Sequence, residues 1–335
     1  MTEALSLSRR VLLGGLAGAI LGPGITLPRR SVGRPARIGY LSPAAPTRLE
    51  SSWLREFQIA LGARGYPPGA GIVLEQRYAE DRPERLPLLA RELLDAGVEI
   101  MLTFATPASL AAKAASGTVP IVMVAVGDPI GVGLVQSLGR PQANITGLTL
   151  NNVDSAGKRL GLLKEAVPRL SRAAVLVNWS NASLTTLQLV QTRSIADRMG
   201  VALVPVEVTG PDRLASSFDA VAREGVNGIV VLPDATFIAH RDRIAGLALQ
   251  HRLPSVAPET PFVGAGCLLA YGPDVAEIYR KAARYVDRIL RGARPADLPV
   301  EQPETYELSI NRRTARALGL ALPRSLLLRA DEVIG

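Results

Sequence analysis

Short apolar runs rich in Val, Ile and Leu alternate with longer helical patterns, and the alternation starts twice, at residue 37 and again at 173. In the first half, 38–41, 72–78, 100–104 and 119–126 read as strands, with helices over 52–64, 85–96 and 107–115. In the second half the strands are 173–177, 202–208, 228–232 and 255–257, and the helices are 184–199, 211–224 and 239–251. The runs lack the in–out alternation of a half-exposed strand, which suits parallel strands covered on both faces. Strands separated by helices build βαβ units. "RIGYLSPAAP" and "AAVLVNWSNA" play the same part in each half, an apolar strand entering small polar residues before a helix. The expectation is an α/β protein of two Rossmann-like lobes with parallel sheets.

The C-terminal part completes the lobes. Residues 275–292 place Val275, Ile278, Tyr279, Ala282, Val286 and Ile289 on one helical face, closed by Gly292. A Pro-rich crossing leads to a strand at 306–310 and a helix at 312–318. A lobe built from both ends of the chain implies several crossings, expected near 148–152, 270–273 and 299–304. The division is 36–149 with 272–300 for the first lobe and 150–271 with 301–335 for the second.

Residues 1–35 read as an export signal and linker. Arg9-Arg10 precede an apolar run from Val11 to Leu21 that is too short to span a bilayer, and Ser8–Leu13 has the look of a twin-arginine signal. An amphipathic N-terminal helix is the alternative. The formal charge of +8 suggests a polyanion partner until its location is examined: residues 1–36 hold five arginines against Glu3, leaving 8 − 4 = +4 for the rest, without a basic cluster. Nucleic acid is therefore set aside. One cysteine, Cys267, and two histidines, His240 and His251, argue against a disulfide or a thiolate or histidine metal site. Nothing calls for a cofactor. No G-x-S-x-G elbow or P-loop lysine occurs, and no nucleophile–base pair stands out.

In open parallel sheets, ligands bind beyond the carboxyl ends of the strands. Those loops carry Ser42, then Thr106-Pro107, then Asp128 in the first lobe. In the second they carry Asn178-Trp179, Asp234 and Glu259, with Tyr271 in a later turn. Thr106 before Pro107 reads either as the cap of its own helix or as part of an anion site at a helix start. Asp128, between Gly127 and Pro129, either accepts a ligand amine or hydroxyl or caps a helix over 130–138. Aromatics make up only 4% of the chain, so Trp179 and Tyr271 are weighed as ligand walls against ordinary core packing.

"VPIVMVAVGDPIGVGLVQSLGRPQANITGLT" (119–149), "VLPDATFIAHRDRIAGLALQHRLPSV" (231–256), the Tyr271-Gly272-Pro273 turn and "LPVEQPE" (298–304) resemble the ABC-transporter substrate-binding protein family that includes tryptophan-binding members. The resemblance runs over essentially all of 37–334. It implies a type I periplasmic-binding-protein fold with a multi-crossing hinge, a monomer that closes on a small amino-acid or carboxylate-like ligand, and delivery to an ABC permease in the inner membrane. It also implies no chemistry on the ligand and a periplasmic location. Two departures bear on ligand identity: Asn178-Trp179-Ser180-Asn181 in place of an Asn/Pro-rich turn, and 266–271 in place of a Gly-Gly-Met phrase before the Tyr-Gly-Pro turn. A ligand sensor for a membrane kinase or chemoreceptor would share fold and site; an exported α/β enzyme is the remaining alternative.

Overall fold

A computed structural model describes residues 34–150, 152–208 and 210–335. The twin-arginine reading of the N-terminus falls outside them. In chain order the first lobe contains β1 (Ala36–Ser42), α1 (Arg48–Gly62), β2 (Ile72–Tyr78), α2 (Leu86–Asp95), β3 (Ile100–Phe104), α3 (Ala105–Ala115), β4 (Ile121–Val126) and β5 (Ile145–Thr149). The chain then enters α4 (Asn152–Ala166), β6 (Arg172–Val177), α5 (Ala182–Met199), β7 (Ala202–Glu207), α6 (Leu214–Arg223) and β8 (Ile229–Val231). α7 (Ala235–Ala239), α8 (Arg241–Gln250), β9 (Ser255–Ala257), α9 (Pro261–Ala265) and β10 (Leu269–Gly272) follow. α10 (Val275–Leu290), β11 (Glu307–Asn311), α11 (Arg312–Ala317), α12 (Arg324–Leu328) and β12 (Glu332–Ile334) end the chain.

The two sheets share one topology. The first runs β2-β1-β3-β4-β5, all parallel, and the second runs β7-β6-β8-β9-β10 in the same order before β11 adds antiparallel and β12 parallel to β11. Each sheet therefore reverses its strand order beside its first strand, between β1 and β3 and again between β6 and β8. Such a switch point leaves a crevice at the strand carboxyl ends. β3, β4 and β5 are buried at every residue, which is why their sequences show no alternation. Val175, Val177, Val230, Val256, Leu269 and Ile310 form the corresponding core beneath the second sheet. Cys267 is buried as well, in the cluster that holds Ala257 and Phe262, and burial pushes its thiol up to about 12, so it is a small core residue.

The chain passes between the sheets three times: after β5, between β10 and α10, and on the way to β11. α10 leaves the second sheet to pack on α1, β4 and β5 of the first. Its tyrosine Tyr279 reaches Tyr40 of β1, hydroxyl to hydroxyl, at 2.7 Å, and Tyr40 in turn donates to the buried Glu50 of α1 at 2.5 Å. Burial pushes the Glu50 carboxyl up to about 7, against the easing contacts of Tyr40 and Ser42. Thr47 caps α1 by accepting from the Glu50 amide at 3.1 Å, so Glu50 is at once a helix-start residue and the anchor of a buried tyrosine chain.

The expected helix over 130–138 is absent; turns occupy that stretch. Gly131 and Gly133, the latter at φ +72°, weaken helix formation, and the Pro129 carbonyl accepts from the amides of both Leu134 and Val135. The expected helix 239–251 is α8, starting at Arg241; a short helix not expected from the sequence, α7, precedes it, with His240 at their junction.

Candidate functional site

Two adjoining cavities lie between the lobes at these strand ends. The first is lined by Trp53, Phe104, Ala105, Ala125, Leu150 and Val275 from one side and by Asn181, Leu184, Asp234, Ile238 and Glu259 from the other. The second joins Pro43, Asp81 and Pro107 to Asn178, Ser180 and Thr236. Each encloses about 20 Å³, room for a water molecule or so. The lobes are thus closed on each other. A larger open depression of about 500 Å³ lies along the edge strand β7 and α6, lined by one lobe alone, so it does not bridge the lobes.

The backbone at the first cavity is strained. Ala105 and Ala125 have φ of +63° and +60°, a conformation that costs a residue with a Cβ about 1–3 kcal/mol and persists where surrounding structure imposes it. Ala125 is the bulge in the β4–β5 ladder, where the register shifts between Met123 and Val126, and bulges re-aim side chains at sheet ends. Ala105 sits between β3 and the body of α3. It starts the helix one residue before Thr106, so Thr106 is not the cap: Phe104 holds that position and no side chain caps the helix. Trp53 and Phe104 form the apolar wall, their rings 5.9 Å apart, with Trp53 stacked on Tyr279 at 5.9 Å.

The polar lining comes mainly from the second lobe. Asp234 is the cap of α7: its Oδ1 accepts from the Thr236 amide at 2.9 Å and from Asn178 Nδ2 at 3.0 Å. Burial raises its carboxyl above the ordinary aspartate range in spite of these bonds. Glu259, just beyond β9, is pushed up to about 8 by burial, with Arg159 opposing and Asp234 adding to the shift. Arg159 is fully buried on α4 and is lowered to about 10 by burial. Among the described residues, buried atoms without a hydrogen-bond partner include Thr106 Oγ1, Asp81 Oδ1, Glu259 Oε2, and Nε and Nη2 of Arg159. Ser42 Oγ is another, close to Glu50 but not in hydrogen-bond geometry. Orphaned buried polar atoms in a native fold call for an explanation, and several of these residues flank or line the cleft.

Among the described residues, two contacts reach directly across the cleft mouth. His240 Nε2 meets Asp81 Oδ2 at 2.9 Å, the histidine from the α7–α8 junction and the aspartate from the loop after β2. That loop is itself strained, with φ of +57° at Glu80 and +60° at Asp81. Leu184 of α5 seats its methyl groups over Gly127, where a Cβ would overlap them. His240→Ala is expected to speed ligand release about 3- to 10-fold while leaving the association rate within about twofold, as befits one partly exposed bond to a charged group. Stopped-flow or surface-plasmon-resonance rates check it, and an unchanged release rate would remove the bond from the closing contacts.

Of the residues singled out from the sequence, Pro107, Asn178, Asp234 and Glu259 line these cavities. Ser42 and Thr106 lie fully buried behind the lining. Asp128, Trp179 and Tyr271 are not among the lining residues. Asp128 accepts from the Gly131 amide at 2.9 Å and stabilises its own turn. Trp179 is 40% exposed. Tyr271 stacks on Tyr306 at 5.7 Å and accepts a hydrogen bond from Lys158 Nζ at 2.6 Å. Sequence reasoning passed over Trp53, Phe104, Asp81, Leu184 and Arg159. The scarcity of aromatics pointed to Trp53 as much as to Trp179, and Phe104 directly precedes the Ala105–Thr106 turn. Arg159 carries no local signal, since only the fold brings α4 beside Glu259.

Among curated proteins the chain is similar to a tyrosine-binding protein of Clostridioides difficile, 25% identical over 264 residues, which is 79% of this chain and 75% of the relative. Among solved structures it is similar to a conserved domain protein from Vibrio cholerae, with TM-score 0.83 and 26% identity, covering 90% of this chain and all of that one. It is also similar to an ABC domain from Streptococcus pneumonia in complex with L-Trp, with TM-score 0.82, 25% identity and the same coverage. These neighbours share the type I periplasmic-binding-protein architecture seen in the paired sheets. The model of ABC transporter substrate binding proteins matches residues 52–334, and the chain belongs to that family.

Proposed function

We propose that this chain is an extracytoplasmic solute-binding protein that closes two lobes on a small amino-acid or carboxylate-like ligand and delivers it, chemically unchanged, to an ABC-type permease. The observation that carries the reading is a strand-end cleft lined by both lobes, with an aromatic wall on one side and under-partnered polar groups on the other. An apolar body with a polar end suits that lining. The tyrosine and L-Trp named for two relatives lie in the same chemical class. In this reading 36–149 with 272–300 forms one lobe and 150–271 with 301–335 the other, with 1–35 serving as a twin-arginine export signal and linker to a periplasmic site. The protein acts as a monomer without cofactor or metal. A ligand that touches both lobes stabilises the closed state by its differential contacts, and the permease reads the closed outline.

A thermal-shift screen of the chain from residue 34 onward, against amino acids, aromatic acids, small carboxylates and nucleosides, tests the proposal. A ligand confined to the native state raises Tm by mass action, by about 2.7 kcal/mol of stability at a hundred times Kd. The expected hits are amino acids or aromatic acids recovered intact by mass spectrometry. Recovery as a product would mean an enzyme instead, and hits confined to nucleosides would overturn the ligand class.

A further inference from the structure

We infer that Glu259 is the specificity-determining residue of the cleft, accepting a hydrogen bond from the ligand's ammonium group and so selecting amine-bearing ligands over their des-amino counterparts. The inference rests on the solute-binding reading above and adds the group that the ligand must carry.

Two carboxylates line the first cavity, Asp234 and Glu259. They differ in what they have left to give. Asp234 Oδ1 already holds Asn178 and the Thr236 amide, as a helix cap does. Glu259 Oε2 is buried with no hydrogen-bond partner. Asp128, the carboxylate that the sequence offered for an amine, is occupied with Gly131 and does not line the cavity.

The charges around Glu259 are few. Arg159 on α4 and Asp234 at the start of α7 are the ones that shift its titration, and Tyr271 and Tyr306 lie next to Arg159. Arg159 donates from Nη1 to Ser155 Oγ at 2.8 Å and, more weakly, to the Tyr271 carbonyl at 3.4 Å. No ion pair joins it to Glu259 among the described residues, so Arg159 supports the ionised carboxylate through space without occupying its oxygens. Arg159 is thus a positioning residue. A buried carboxylate without a hydrogen-bonded cation is costly, and an ammonium with three donors on an apolar body that rests against the Trp53–Phe104 wall answers that need.

A proton accompanies the event. Burial holds the unliganded Glu259 carboxyl at about 8, so at pH 6–7 it is mostly protonated. An ammonium beside it favours the ionised form, and binding then releases a proton. The sign follows: affinity rises with pH up to about 8, by at most about tenfold per pH unit. The rival arrangement, in which a neutral Glu259 donates its O–H to a ligand carboxylate, gives affinity that is flat up to about pH 8 and falls above it.

Isothermal titration of the chain from residue 34, in two buffers of different ionisation enthalpy, tests this with L-tryptophan, L-tyrosine and their des-amino analogues, indole-3-propionate and 3-(4-hydroxyphenyl)propionate. The expected result is preference for the amino acids, release of close to one proton at pH 6.5, and tighter binding at pH 7.5. Glu259→Gln should weaken amino-acid binding about 30- to 100-fold, abolish proton release and leave the des-amino analogues unaffected. Asp234→Asn should keep the proton release. Wild-type preference for the des-amino acids, affinity flat or falling between pH 6.5 and 7.5, or equal amino-acid affinity in Glu259→Gln overturns the assignment while leaving the solute-binding reading intact. Binding of none of the four probes, together with silence in the wider screen, removes both. The wild-type pH profile stands even where the variant does not fold.

Discussion

Gly127→Val is expected to leave the first lobe folded and to hold the cleft open, weakening ligand binding about 10- to 100-fold, the equivalent of about 1–3 kcal/mol of overpacking. Gly127 directly follows β4, and its φ lies outside the left-handed region, so a side chain there imposes no backbone strain. The obstacle is across the cleft: a Cβ would overlap both methyls of Leu184 on α5. An alanine leaves the leucine some freedom to rotate away, whereas a valine fills the seat. The measurements are Kd by titration, Tm without ligand, and the radius of gyration with and without ligand by small-angle scattering. Unchanged Tm, weakened binding and no ligand-induced compaction are the expected set. Adding Leu184→Ala should recover much of the affinity. Wild-type affinity in Gly127→Val would show that the seating of Leu184 has no part in closure.

The second large effect is on stability. Gly147→Ala should cost about 3–5 kcal/mol, combining left-handed strain with a steric clash. Gly147 pairs with Met123 across the β4–β5 ladder at φ +136°, and a Cβ there would run into the Met123 carbonyl and amide. Those are backbone atoms of a fully buried strand, so relief means breaking the ladder beside the bulge at Ala125. Gly133→Ala is the contrast: its φ is +72° but the space around it is open, and about 1 kcal/mol is expected. Urea unfolding midpoints compare the two. Equal, small losses would mean that β5 shifts its register easily, in conflict with the pairing seen here.

Most of the parallel strands were legible because burial on both faces leaves uninterrupted Val/Ile/Leu runs, and β2, β3 and β9 fall where the runs end; β5, broken by Gly147, and the four-residue β10 were not. The repeat of architecture was legible too, since "RIGYLSPAAP" and "AAVLVNWSNA" cover all but the first residue of β1 and β6. α4, α9, α12 and β12 were not, the last three being only a few residues long and weakly patterned. The stretch after Asp128 misled because Asp-Pro starts a turn as readily as a helix. At the site, strand ends located Pro107, Asn178, Asp234 and Glu259. Asp128 lies beyond β4, an inner strand one place removed from the switch point, and its Oδ1 is taken up by the Gly131 amide. Whether a buried polar atom is left without a partner depends on what α4 and α7 bring to it, and no local pattern encodes that.

The placement of Tyr279 sets a timetable for the nascent chain. The aromatic wall rests on Tyr279, which stacks with Trp53 and bonds to Tyr40, yet α10 follows the whole of the second sheet as far as β10. A chain stopped before it leaves α1, β4 and β5 uncovered on one side, with apolar surface that proteases and holdases recognise. A competent wall therefore waits for synthesis through α10. A product cut short, by nonsense mutation or stalled translation, has no half-active lobe to offer and is marked for removal by its own unfinished core.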